Sequence, residues 1–191
     1  MKFAPMNYHY LRYPIKKFLD KVESSPFDSI DLYCSAPQLN IFDYSLSRLI
    51  ELDRDIRQRN LKVMAMTPEN CVYPVNFCTQ DPVTRQSSIR YYQRAIDTAE
   101  FLGCPNIQIS TGFGYFDQPG EEAWKYCRES LAQLAVYCQR KQVRLFLEEL
   151  KVTTTNVLIT SKDIARMLDE IGSPCIVGMV DMDQMTYAGE T

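Results

Sequence analysis

Acidic residues follow two of the most apolar runs in this sequence. Glu148 and Glu149 come directly after Arg-Leu-Phe-Leu, and Asp181 and Asp183 come after Cys-Ile-Val-Gly-Met-Val. Each run reads as a buried strand, so each acidic group should sit at the C-terminal mouth of its strand. Two convergent carboxylates suit a hard or borderline divalent cation, or a general acid/base pair. Side chains alternate along a strand, so only one of Glu148 and Glu149 can face a given side. The residues alone leave a structural alternative open, in which an acid caps the next helix or pairs with a lysine at the rim. Other polar residues at expected strand ends are Asn7 and His9, Cys34 and Ser35, Thr67, Glu69 and Asn76, and Ser110, Thr111 and Tyr115. His9 is the only histidine, and a lone imidazole serves as readily as a structural hydrogen-bonding group. The segment 67–81 is polar and proline-rich, and its Tyr73-Pro74-Val75-Asn76 stretch is either substrate-facing or a turn.

These groups need strands to carry them and helices to cover the strands. Helical spacing of apolar residues predicts helices over 14–24, 44–60, 85–103, 121–141 and 161–172, with Gly103 as a C-terminal glycine and Ser161 as an N-cap. Short apolar runs predict strands over 2–6, 29–34, 61–66, 105–110, 143–150 and 175–181, the third ended by Thr67-Pro68. Such alternation implies parallel strands with crossover helices, an α/β fold in a single domain over residues 1–191. Two architectures are consistent with it. A doubly wound sheet would carry G-x-G-x-x-G after its first strand, whereas the chain offers only Gly112-Phe113-Gly114 after the fourth. The pattern favours a (β/α)₈ barrel: about six units of roughly 32 residues are present, and eight would approach the ~250 residues of a full barrel. The expectation is therefore a barrel truncated before strands seven and eight.

Composition narrows the function classes. The 191 residues are 46% hydrophobic and 24% charged with a net charge of −3, enough apolar material for a core and no basic footprint for nucleic acid. No run is apolar enough to span a membrane and the N-terminus lacks a signal peptide's continuous apolar stretch, so a cytoplasmic protein is expected. Seven scattered cysteines read as reduced, mostly structural thiols rather than a disulfide framework or, with a single histidine, a zinc finger. Trp124 and most tyrosines lie at helical spacing and read as core, and Arg54, Arg57 and Arg59 as a solvated helix face.

Several segments carry a family likeness. Met-Thr-Pro-Glu-Asn-Cys-Val-Tyr-Pro-Val-Asn at 66–76, Leu-Phe-Leu-Glu-Glu-Leu-Lys-Val-Thr-Thr-Thr-Asn-Val at 145–157 and Gly-Met-Val-Asp-Met at 178–182 resemble the sugar isomerase/epimerase family with the xylose-isomerase-like barrel. Within it they are most similar to fructoselysine 3-epimerase-like proteins. His9, Pro14 and Ile15, and Phe-Asp-Ser-Ile-Asp-Leu-Tyr at 27–33, match as well. The resemblance implies a barrel whose mouth holds one divalent cation, Mn²⁺, Co²⁺, Mg²⁺ or Zn²⁺. It assigns Glu148 as metal ligand and catalytic acid/base group and Asp181 as metal ligand. The family's histidine and second glutamate ligands would lie beyond Thr191, so turnover is not expected from these 191 residues alone. The implied chemistry is proton exchange on a ketose or sugar–amine conjugate through an enediolate stabilised by the metal. His9, Glu69, Asn76 and Tyr115 are the expected substrate contacts, and an open barrel edge implies association with further chain, most simply as a homo-oligomer.

The chain also departs from the family pattern. Thr154 stands where ketose 3-epimerases carry a second, sugar-holding glutamate, and Gln184 where they carry a histidine. The Thr111–Tyr115 loop lacks a histidine often found there in the family. These losses argue against a simple free ketohexose, and the single histidine argues against the multi-zinc nuclease branch. Two other readings remain: a non-catalytic sugar- or partner-binding barrel, and an open α/β nucleotide-binding domain.

Overall fold

Ser-Ile-Asp-Leu-Tyr-Cys alternates in its surroundings. Ile30, Leu32 and Cys34 are fully buried, while Asp31 and Tyr33 on the other side are half-buried. The same two-sidedness runs through the computed structural model of the chain, which describes residues 2–70 and 75–190. Five strands, β1 (Ser29–Cys34), β2 (Lys62–Pro68), β3 (Asn106–Ile109), β4 (Arg144–Leu147) and β5 (Ile176–Gly178), form one sheet. Every neighbouring pair is parallel, and the strands lie in the order in which they occur in the sequence. A doubly wound sheet reverses its strand order at a switch point. This sheet never does, so its winding is that of a (β/α) barrel and the nucleotide-binding reading falls.

Helices α1 (Ile15–Glu23), α2 (Leu46–Gln58), α3 (Pro82–Leu102), α4 (Gly120–Lys141) and α5 (Ser161–Ile171) alternate with the strands, and α6 (Met182–Tyr187) follows β5. The core lies between the helices and one face of the sheet. Ile30, Leu32, Ile107, Ile109, Leu145 and Leu147 meet Phe18, Leu19, Tyr92, Ala95, Leu131 and Leu134, all almost fully buried. The register sets Tyr33 beside Thr67 and Gln108 beside Phe146. The opposite, inner face therefore carries Asp31, Tyr33, Thr67, Asn106, Gln108, Arg144 and Phe146. No helix among the described residues is long and apolar enough to cross a membrane.

The elements match the expected ones except at their ends and at α6, a helix the sequence reading did not include. The segment expected as a first strand, 2–6, makes only a bridge from Met6 to Asp31 and a hydrogen bond from Asp31 N–H to the Pro5 carbonyl (3.1 Å). Pro5 has no N–H to give to a ladder, and the chain turns at once into the 3₁₀ turn Asn7–Tyr10. It nonetheless lies along β1, where a first barrel strand belongs. Thr160 rather than Ser161 caps α5, through a capping box with Asp163. α3 starts earlier than its apolar spacing suggests, because Asp81 caps it and Pro82 fills its first turn. Gly103 closes α3 with φ 68°, as expected. The six described cysteines are free; Cys71, with Tyr73 and Pro74 of the predicted loop, lies outside the described residues.

Candidate functional site

The strand ends bring Glu148 and Asp181 together. The Glu148 N–H donates to the Ile109 carbonyl (3.0 Å) and the Met179 N–H to the Leu147 carbonyl (2.9 Å), which carries the pairing one residue past β4 and β5. Alternation from Phe146 turns Glu148, 7% exposed, onto the inner face, where the Gln108 Nε2 donates to its Oε2. Glu149 turns the other way and is 1% exposed. Burial pushes the Glu148 carboxyl up to about 7, and the Asp181 carboxyl against it adds to the rise through its charge and a direct contact, while the Gln108 amide opposes it. Burial likewise raises Glu149. Asp181 also serves the local fold: its Oδ1 accepts from the N–H groups of Asp183 (2.8 Å) and Gln184 (3.2 Å), capping α6. The helix-capping alternative is thus realised for one of its oxygens while the carboxyl still meets Glu148.

The remaining predicted residues follow the N-terminal segment, β2 and β3 in the chain. His9 lies on the 3₁₀ turn, exposed, its ring edge-on to Tyr8, which is in turn edge-on to Tyr33 of β1. Glu69 follows β2; its N–H donates to the Cys34 carbonyl (3.3 Å) and its carbonyl accepts from the Tyr91 hydroxyl (3.1 Å). Tyr115 projects, 52% exposed, from the loop after β3. Asn76 is built into that loop's support: its Nδ2 donates to the Phe113 carbonyl (2.9 Å) and its Oδ1 accepts from the Cys78 N–H (2.9 Å). An added Cβ on Gly112, whose φ is +95°, would stand 2.7 Å from the Asn76 Oδ1, so only glycine lets the two loops close to this distance. Thr154 donates its N–H to the Lys151 carbonyl (2.8 Å), and Gln184 accepts the Lys151 N–H (2.9 Å).

A family model described as Xylose isomerase-like TIM barrel matches residues 19–191. The chain belongs to this family. No curated protein matches it by sequence. Among solved structures, D-psicose 3-epimerase with D-tagatose from Clostridium cellulolyticum H10 superposes with TM-score 0.83 at 16% identity, covering 100% of this chain and 67% of that one. The 3-keto-D-glucoside 4-epimerase YcjR from E. coli has TM-score 0.83 at 16% identity and covers 100% and 72%. The IOLI protein with a bound zinc atom has TM-score 0.83 at 17% identity and covers 100% and 66%. These likenesses show the xylose-isomerase-like barrel fold.

The donor chemistry at the mouth of this family member suits a hard cation. Glu148 and Asp181 both offer oxygen, and a cation between them would relieve both the burial of charge that chiefly raises Glu148 and the smaller repulsion from Asp181. Among the described residues no group of three or more His, Cys, Asp or Glu forms a fuller cage. The two carboxylates fit such an ion as part of its ligand set.

Sequence reading picked out Ser110 at a strand end but missed the partners that brace the mouth with it. Asn70 and Ser110, both buried, exchange hydrogen bonds (3.2 and 3.0 Å) between the ends of β2 and β3. Thr155 donates to the Gly112 carbonyl (2.7 Å), and the Asn156 amide pairs with the N–H and carbonyl of Gly114 (2.8 and 3.1 Å). A run of threonines and an asparagine after a strand carries no periodic signal. Gln108 was missed for a different reason, as it lies inside its strand rather than at the end.

Proposed function

We propose that Glu148 and Asp181 belong to the metal centre of a sugar epimerase or isomerase acting on a ketose or a sugar–amine conjugate. The facing pair of carboxyls at the ends of β4 and β5, one of them buried and raised to about 7, carries this reading. A bound Mn²⁺, Co²⁺, Mg²⁺ or Zn²⁺ would neutralise the negative charge that develops on the substrate's oxygens during reaction. Glu148 as carboxylate takes the proton from the carbon beside the carbonyl on the face it meets; returning it to the neighbouring carbon gives isomerisation, and epimerisation needs a second acid to deliver a proton on the opposite face. Without the ion its raised pKa keeps both forms accessible near neutral pH, so proton and cation compete for the same carboxyl. Asp181, held at one oxygen by the α6 N-terminus, keeps the other side of its carboxyl towards Glu148. His9, Glu69 and Tyr115 supply substrate-facing side chains, and Asn76 shapes the backbone beneath Tyr115. The whole is read as a cytoplasmic, self-associating enzyme of small sugars with no nucleic-acid partner.

The test is carbon-bound proton exchange. Fructoselysine, with D-tagatose and D-fructose alongside it, is incubated with the protein and Mn²⁺ in D₂O and followed by NMR. Glu148 alone can remove and return the proton on one face, so deuterium should enter beside the carbonyl without net conversion of the sugar, and Glu148→Gln should abolish the exchange. Sugar binding without exchange, unchanged in Glu148→Gln, would instead support a non-catalytic sugar-binding barrel.

A further inference from the structure

β3 places two amides on the inner face of the sheet, and they are used differently. Asn106 engages both ends of its side chain: Nδ2 donates to the Met64 carbonyl (2.8 Å) and Oδ1 accepts from the Arg144 guanidinium (3.0 Å). Gln108, one step nearer the mouth and 5% exposed, engages only one end. Its Nε2 donates to the Glu148 Oε2, while its Oε1 is one of only two buried side-chain polar atoms without a partner among the described residues. A buried amide that served packing alone would be expected to have both ends satisfied, because an orphaned acceptor loses its hydration without compensation.

We propose that Gln108 is a positioning residue for the metal centre: its amide N–H fixes the rotamer of Glu148, so that one carboxylate oxygen is committed to the barrel wall and the other is presented towards Asp181. The proposal rests on the reading of Glu148 and Asp181 as metal ligands and adds to it the group that orients the first of them. A free glutamate side chain samples several rotamers, and a ligand fixed beforehand loses less freedom on capturing the ion. Hydrogen-bonded partners behind ligating carboxylates act in this way, and removing one weakens metal affinity by about 10- to 100-fold. The unpartnered Oε1 fits the same role, since nothing on the far side of the amide competes for its orientation.

Mn²⁺ affinity, measured by water-proton relaxation on the intact protein, tests this without any turnover. Gln108→Met keeps the side chain's length but has no donor, and Gln108→Asn keeps the amide but falls short of Glu148. Both should bind Mn²⁺ about 10- to 100-fold more weakly than the natural protein, with melting curves taken in parallel to show that each is folded. If one variant fails to fold, the other carries the test. Folded variants that bind Mn²⁺ as tightly as the natural protein overturn the role of Gln108 and leave the metal site standing. Mn²⁺ binding that is absent from the natural protein, or unchanged in both Glu148→Gln and Asp181→Asn, overturns the metal reading and this role with it.

Discussion

Asp31 is an unusual residue to find on the inner wall. It sits on β1 beneath Tyr33, and among the described residues its side chain accepts only from the Thr67 hydroxyl, 3.1 and 3.2 Å from its two oxygens, with no cation beside it. Burial pushes its carboxyl from the ordinary 3.8 to about 6, with the Thr67 hydrogen bond only partly opposing the rise. The folded protein therefore holds a proton on Asp31 at pH values where the unfolded chain has released it. Stability must fall as the pH rises from about 4 to about 6, and the full penalty remains above that. A displacement of about two units at ~1.4 kcal/mol each gives roughly 2–3 kcal/mol. Asp31→Asn keeps the shape and an acceptor for Thr67 but has no charge to bury. Urea unfolding of both proteins from acid to neutral pH isolates the effect, because Glu148 and every other titrating group is common to the two and cancels in the difference. The variant should match the natural protein near pH 4 and exceed it by roughly 2–3 kcal/mol near pH 7. A difference that stays flat with pH, or a variant less stable at neutral pH, would refute the assignment of Asp31 as a buried, uncompensated acid.

Three further outcomes are expected. Mn²⁺ affinity should rise as the pH passes about 7, where Glu148 becomes a carboxylate able to hold the ion; an affinity that already levels off at the ordinary glutamate value would mean that Glu148 is not a ligand. Gly112→Ala should lose roughly 1–3 kcal/mol in thermal or urea unfolding, because its φ of +95° and the 2.7 Å approach of Asn76 both oppose a side chain. Gly103→Ala, with a similar φ sign but open space around it, should lose only about 1 kcal/mol, and equal losses at the two sites would show that the Asn76 contact carries no weight. Thr160→Ala removes the α5 capping box and should lower stability by about 1 kcal/mol, whereas Ser161→Ala, outside that box, should lose measurably less.

The strands were legible because their burial is one-sided or complete: Ser29–Cys34 alternates, and Arg144–Leu147 and Ile176–Gly178 are apolar runs ended by acids. The helices were legible from spacing apart from the six-residue α6, too short for a periodic signal, the start of α3, set by Asp81, and the cap of α5, which is Thr160. Their apolar stripes begin a turn later than the helices themselves. Glu148 and Asp181 could be picked out because a carboxylate after a buried run contrasts with its surroundings. Gln108 could not, since Asn-Ile-Gln-Ile reads simply as an alternating strand, and whether the polar face meets solvent or a carboxylate depends on which strand lies beside it. The bracing by Asn70, Thr155 and Asn156 was illegible for a related reason: each bonds the main chain of a distant loop, and only the closed mouth brings these partners within reach.

Sequential strand order also bears on how the protein comes into being. Among the described strands each hydrogen-bonds to the ones made just before and just after it, so no contact among these five waits for a distant part of the chain. Loop closure between neighbours stays a local and similar cost at every step. The sheet can therefore be assembled in the order of synthesis, each βα unit docking on an edge already formed while the rest is still being translated. Glu148 and Asp181 belong to consecutive units of that series, so their meeting comes late, on a wall whose earlier strands have already set Asp31, Thr67 and Gln108 in place.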